Sequence, residues 1–261
     1  MIIKYHMGLK MPKKNSKLYM ASCVILTIGL ALSNQVKADI FDCGPVTNSI
    51  GPWDYADPSS SVPTGADPMG RIKRVENVHF QQAMEALDLK LFSIDRLTGE
   101  FSYTLRMLPN HPRALLAMSR LENRAGGKLP QRSATTTSPK ITANCFFDRA
   151  IRFRPDDKAV RMVYGIHLHQ RGKLKEALAE YQLAESLGEE SGNLYYNIGL
   201  LHADMKNWDK AYEYGVKAEH GGLMLPGLRG KLEKAGRPLP PVVRPEKPAL
   251  PKSPSSSATS E

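Results

Sequence analysis

The sequence predicts an all-α protein of stacked helix pairs, and three observations predict it. Ala143, Ala177 and Ala211 follow one another at intervals of 34 residues, and so do Ala150, Ala184 and Ala218. Gly165 and Gly199 differ by the same 34. Within each interval the residues read Ala143, Phe147, Ala150, then Ala177, Tyr181, Ala184, then Ala211, Gly215, Ala218. That i, i+4, i+7 spacing lines one face of a helix. A fixed period of this length marks a repeat array. In such an array no single helix pair buries enough apolar area alone, so neighbours stack into a continuous core.

Residues 1–38 do not read as part of that array. Lys10, Lys13, Lys14 and Lys17 form a positive region, and residues 18–32, LYMASCVILTIGLAL, carry no charge. Val36 and Ala38 then place small side chains two residues apart. A basic stretch, a short apolar core and a small-x-Ala site make a secretory signal peptide, with cleavage expected after Ala38. The uncharged span between Lys17 and Lys37 is 19 residues, long enough to cross a bilayer, so an uncleaved inner-membrane anchor is the second reading. Ser33, Asn34 and Gln35 at its end suit a cleavage region better than a membrane interior. Cys23 has only Leu18 to Ser22 before it, too short an apolar core for a lipoprotein signal. No other apolar run approaches the roughly 18 residues of a membrane span, so a multi-span transporter is excluded. The expected address is periplasmic or secreted, with membrane contact only transient, through the signal peptide.

Removing the leader removes six lysines and no acids, so the net charge falls from +10 to +4, from 30 basic and 26 acidic residues. That near-balance gives little support to a nucleic-acid partner, and none is expected.

Residues 39–77 are rich in Gly, Pro, Asp and Ser, and no helical or alternating pattern survives there. An extended, looped segment is expected, with Trp53 and Tyr55 as anchors against the helical body. A surface aromatic patch for a ligand is the other use of that pair. Residues 78–236 form the expected repeat domain, with three and a half helix pairs over 78–220. Residues 79–108 keep helical spacing without the alanines, as a degenerate first repeat. Pro109 and Pro155 stand 46 apart rather than 34. The surplus lies in GGKLPQRSATTTSPK, a loop insertion at 126–140. Gly215 stands where the aromatic is expected, which should weaken the last repeat. LPGLRGKLEKA then opens on Pro226 and closes before Gly236, as helix ends prefer, and should cap the last apolar face. Residues 237–261 hold seven prolines and are expected to be a disordered tail of polyproline character. It would solubilise the chain or serve as a docking strip or tether.

These residues resemble the tetratricopeptide repeat (TPR) family. That family carries a Gly in its first helix and an Ala-x3-aromatic-x2-Ala line in its second, followed by a turn proline. VYGIHLHQRGKLKEALAEYQLAESLG matches through Gly165, Leu168, Gly172, Ala177, Tyr181 and Ala184. SPKITANCFFDRAIRFRPDD is similar to the second half of a repeat and ends on Pro155, while YTLRMLPNHPRALLAMSRL is similar to a junction around Pro109. The physical reason is close approach: Gly and Ala let crossing axes come together, and the aromatic fills what remains. The resemblance covers about residues 100 to 220. It implies a short right-handed α-solenoid of such pairs with a C-terminal capping helix, preceded by the extended segment. VENVHF, LRMLPNHPRAL and DRAIRFRPDD together resemble exported bacterial members of the family, which supports the compartment and adds no activity.

With Cys23 removed, Cys43 and Cys145 are the two thiols left in an exported chain, and one disulfide is the simplest outcome. Cys145 lies about 200° around the helix from Ala143, away from the helix seam. An outside segment can be stapled there, and Cys43 lies in the loop-rich segment. A Cys43–Cys145 bridge closes a loop of about 100 residues, worth about 4–5 kcal/mol by loop entropy. The rival is thiol chemistry. Arg149 at i+4 and Arg152 at i+7 suit a lowered-pKa thiolate, with His167 or His169 of the next helix as base.

His167 and His169 are about 200° apart on a helix and do not share one ion. No H-x-x-x-H, C-x-x-C or acidic calcium loop is present, nor a phosphate-binding glycine loop or G-x-S-x-G. No metal, no cofactor and no enzymatic activity are expected. Binding remains. The resemblance implies that first helices line a concave face. By register the inward residues are Arg113, Leu116, Arg120 and Asn123, then Met162, Ile166 and His169, then Asn193, Tyr196 and Leu200. Two arginines and an asparagine on one stripe resemble the carboxylate-clamping grooves of the family, since Arg grips a carboxylate bidentately. Family clamps spread the basic residues over more than one repeat, and here they lie in one; an ordinary solvated helix face is the other reading. The expected function is an exported scaffold for a peptide or protein segment. The rivals are a periplasmic thiol or redox accessory protein using Cys145, and a structural subunit of an envelope assembly.

Overall fold

The computed structural model describes residues 43–131 and 140–241. The leader at 1–38, residues 132–139 of the insertion and the tail beyond 241 lie outside the described residues. Within them the chain is all-α. Its helices are α1 (Arg71–His79), α2 (Gln82–Glu85), α3 (Ile94–Met107), α4 (Pro112–Arg124), α5 (Ala143–Phe153), α6 (Lys158–Gln170), α7 (Leu174–Ser186), α8 (Gly192–Asp204), α9 (Trp208–His220) and α10 (Pro226–Lys234). The chain divides into two compact units, one ending at Val163 and one beginning at Tyr164.

The repeat is visible in the helix bounds. α7 and α9 each hold 13 residues and begin at Leu174 and Trp208, 34 apart. α6, α8 and α10 begin at Lys158, Gly192 and Pro226, at the same interval. First helices close their N-termini at equivalent positions with different acceptors. His111 Nδ1 receives the Ala114 amide, Asp157 Oδ1 the Val160 amide and Ser191 Oγ the Leu194 amide. Each satisfies an amide that the helix leaves without a partner.

In the C-terminal unit Ala177, Tyr181, Ala184 and Ala211 are fully buried. Tyr181 packs flat on Gly165, where any Cβ would collide with the ring. One repeat later Gly215 removes the aromatic. A Cβ on Gly199 would lie only 3.4 Å from the Ala211 carbonyl oxygen, so α8 and α9 approach backbone to backbone. Leu228 of α10 closes on Gly199, and Leu232 and Leu239 close on Gly215. The weakening expected from Gly215 is thus offset by leucines from the cap. Ala203, Ala211, Leu228, Leu232 and Leu239 form one cluster, with Tyr196, Leu200 and Trp208 packed against it. Leu239 lies in the segment expected to be a tail. Arg229 fixes it by donating to the Leu239 and Pro240 carbonyls, both at 3.1 Å. The folded region therefore runs past residue 236.

In the N-terminal unit α3 and α4 bury Leu97, Phe101, Leu105, Leu115, Met118 and Leu121. The extended segment ends earlier than expected, because α1 already begins at Arg71. Ile72 and Val75, at i and i+3, pack on Met107 and Leu108 together with Trp53, Tyr55 and Tyr103. Gly70 sets the break. Its φ of 76° is left-handed, and a Cβ there would strike the Ser61 carbonyl.

Candidate functional site

The first-helix stripe of the N-terminal unit lies on α4, where Arg113, Arg120 and Asn123 are exposed and Leu116 is half-buried. Its arginines already hold residues 85–87 of this same chain. Arg113 forks onto the Glu85 carboxylate, with Nε to Oε1 at 2.9 Å, and its Nη1 lies 3.7 Å from Glu76. Arg120 donates to the Glu85 carbonyl, and Arg124 to the Leu87 carbonyl at 3.2 Å. The hydrogen bond from Arg113 holds the Glu85 carboxyl below the usual carboxylate range. Met84 and Leu87 are buried and fix this segment in place. An external carboxylate on the stripe competes with bonds already made. Sequence reasoning missed Arg124 and Glu85. Arg113, Arg120 and Arg124 share a face at i, i+7 and i+11, but nothing periodic marks Glu85. Met162 is half-buried in this same unit.

In the C-terminal unit Ile166 and His169 are half-buried on α6, and Asn193 is exposed on α8. Tyr196 and Leu200 are half-buried against the cluster that α10 completes. A residue outside the expected stripe ties these helices together. Asp204 takes His169 Nε2 at 2.9 Å and also pairs with Lys231 of α10. Burial alone would raise the Asp204 pKa, but the hydrogen bonds from Lys231 and His169 hold it low.

The loop-rich segment crosses the N-terminal unit as a strap. Cys43 and Cys145 are bonded, with Cα atoms 4.9 Å apart and a separation of 102 positions in sequence. The flanking arginines serve the strap rather than a thiolate: Arg152 donates to the Gly44 carbonyl at 2.8 Å and Arg149 to the Pro45 carbonyl. In that bond Cys145 presents no free thiolate. Further on, Asn48 donates to the Arg106 carbonyl at 2.8 Å and the Trp53 amide to Met107 at 2.8 Å. Asn110 is fully buried. It accepts from the Tyr55 amide at 2.9 Å and donates to Asp54 at 2.7 Å and Asp157 at 2.8 Å. Arg154 pairs with Asp54. The aromatics are anchors: Tyr55 stacks on His111 at 4.0 Å, and the Arg71 and Arg74 guanidinium groups lie over the Trp53 ring at 5.7 and 5.6 Å.

Among the buried histidines, His111 and His167 have ring nitrogens engaged, while His202 Nδ1 has no hydrogen-bond partner among the described residues. His111 Nδ1 accepts the Ala114 amide, so Nε2 carries the proton and donates to Glu76 at 3.0 Å. Burial pushes the His111 pKa down, and the bond from His111 pulls Glu76 down. His167 Nδ1 accepts from Arg171 at 2.9 Å, and burial pushes its pKa down to about 3. Among the described residues no group of three or more His, Cys, Asp or Glu side chains is placed to hold a metal ion, and no helix is long and apolar enough to cross a membrane.

No protein-family model matches the chain, and no curated protein does. Among solved structures, that of MamA AMB-1 in crystal form P212121 aligns with 60% of this chain and 84% of its own, at 16% identity and a TM-score of 0.35. The helical-repeat assignment rests on the recurrent helix bounds and the Gly165–Tyr181 seam.

Proposed function

We propose that the chain is an exported, non-catalytic TPR-like scaffold that holds a peptide or protein segment in the periplasm after cleavage behind Ala38. The observation that supports this most is the recurrence of first helices at 34-residue intervals. Within the C-terminal unit they carry a stripe with Asn193 exposed and Tyr196 and Leu200 half-buried. Repeats stacked in this way give extended binding surfaces without further machinery. A disulfide and a leader of signal-peptide pattern fit an oxidising compartment.

The test is a photo-crosslinking residue placed at Asn193 of α8, compared with one at exposed Gln182 of α7, in intact cells. A discrete protein adduct from position 193 and none from 182 is expected. Equal patterns from both, or no adduct from 193, contradict the reading. The mass of the chain recovered from the same cells reports the leader: Asp39 should be its first residue, and a mass that includes residues 1–38 overturns cleavage.

A further inference from the structure

A depression of about 230 Å³ opens on the N-terminal unit, lined by His79 from the last turn of α1 and by Arg96, Gly99, Glu100, Tyr103 and Arg106 of α3. Positions 96, 99, 103 and 106 follow i, i+3, i+7 and i+10, so α3 presents them as one stripe. Gly99 leaves the middle of that stripe without a side chain. A glycine inside a helix costs about 1 kcal/mol relative to alanine, and here its missing side chain widens the depression.

The charges are unevenly satisfied. Glu100 is engaged twice: its Oε2 meets His79 Nδ1 at 2.7 Å and its Oε1 lies 3.7 Å from Arg96 Nε. Tyr103 braces the His79 ring, with centroids 4.0 Å apart. The other ring nitrogen, Nε2, has no bond to any described residue. The exposed Arg106 guanidinium likewise has no hydrogen-bond or ion-pair partner among the described residues. Arg96 and Glu100 offset each other, so the lining carries one net positive charge with the imidazole neutral and two with it protonated. Arg106 also sits within electrostatic reach of other cations. Burial, then repulsion from Arg152 and Arg106, pushes the Arg149 pKa down.

We propose that this depression is a carboxylate-binding subsite, in which Arg106 forks onto both oxygens of a monoanion over Gly99 and Tyr103, and His79, oriented by Glu100, donates from Nε2 when protonated. The guanidinium fork and the neighbouring Glu100 decide the ligand class. One unpaired guanidinium matches one carboxylate, with the planar fork that Arg offers it. A phosphate dianion brings a second charge against Glu100, which lines the same depression. The subsite stands independently of any partner held by the first-helix stripe. A small free acid and the C-terminus of a peptide present the same chemistry, so the test separates them.

The full chain, with its disulfide intact and ionic strength fixed, is titrated with acetate, with inorganic phosphate, and with a short glycine peptide in free-acid and amidated forms. The His79 ring resonances are the readout, assigned by His79→Gln. A saturable shift with acetate at millimolar concentration is expected, at least several-fold tighter than with phosphate. Free peptide binding more tightly than acetate assigns peptide termini as the source, and equal binding assigns small acids; amidated peptide should not bind. Arg106→Gln and Gly99→Leu should each weaken binding at least tenfold. Arg106 is exposed, so its variant keeps the core intact if the glycine variant does not fold. No saturable shift with any carboxylate, phosphate binding as tightly as acetate, or unchanged affinity in Arg106→Gln overturns the proposal.

Discussion

The two units solve one packing problem in opposite ways. The C-terminal unit follows the repeat: small residues at 165, 177, 184, 199 and 211 let helices touch, and Tyr181 or the cap leucines fill the space between. The N-terminal unit has lost that line in its first repeat. It is held instead by a covalent strap, a buried asparagine between two aspartates, and arginines that grip main-chain carbonyls. Where the period is regular, apolar fit forms the seam, and polar contacts such as Asp204 with His169 and Lys231 add to it. Where the period decays, named polar contacts and a cross-link take over.

The largest expected effect is on the strap. Cys145→Ser should cost the N-terminal unit about 4–5 kcal/mol, the loop-entropy value for closing a loop of this length, read as a lowered urea midpoint. Next, Tyr181→Ala should cost about 3–5 kcal/mol, because a fully buried aromatic leaves a cavity against Gly165. The chain has two tryptophans, Trp53 in one unit and Trp208 in the other. Fluorescence of single-tryptophan variants therefore shows which unit each substitution weakens. If Tyr181→Ala shifts the Trp53 signal and spares Trp208, the contrast between the units fails.

Asn110→Ala should cost about 2–3 kcal/mol in the N-terminal unit, since it strips hydrogen bonds from two carboxylates and one amide. Asn110→Asp should be worse at neutral pH, placing a third carboxylate beside Asp54 and Asp157. Acid should act on the C-terminal unit through His167. Its pKa is about 3 folded against 6.5 for the ordinary group, so between those values the unfolded chain binds more protons. Stability is then fully present above pH 6.5 and is lost as the pH falls toward 3, by at most about 1.4 kcal/mol per pH unit. The slope of the Trp208-reported midpoint against pH measures this, and His167→Gln should flatten it. The smallest effect is Tyr181→Phe. The Tyr181 hydroxyl is buried without a hydrogen-bond partner among the described residues, so its removal should leave stability unchanged or slightly higher. A loss above about 1 kcal/mol would reveal a bond the phenol makes.

The sequence carried the features that recur or that are few. The 34-residue alanine line marks the seam, the Gly165–Tyr181 pair gives its depth, and of the three cysteines the two beyond residue 38 leave one pairing. Features set by tertiary contact left no trace in the pattern. Glu85 belongs to a four-residue helix, and only the folded chain places it under Arg113 and Arg120. Leu239 sits among prolines that read as tail, yet it completes the gap left by Gly215. Asp204 falls at the end of α8 and gains its meaning from His169 and Lys231. Apolar periodicity reports which face is buried; it does not report which polar partner a buried or grasping side chain will meet.

The contrast between a stapled unit and a register-packed one is tested most directly by hydrogen exchange with and without reductant. Reduction should strip protection from the amides of 43–56 and of α5, while the amides of α7 and α9 keep theirs. Equal loss in both units, or no loss around Cys43 and Cys145, would contradict it.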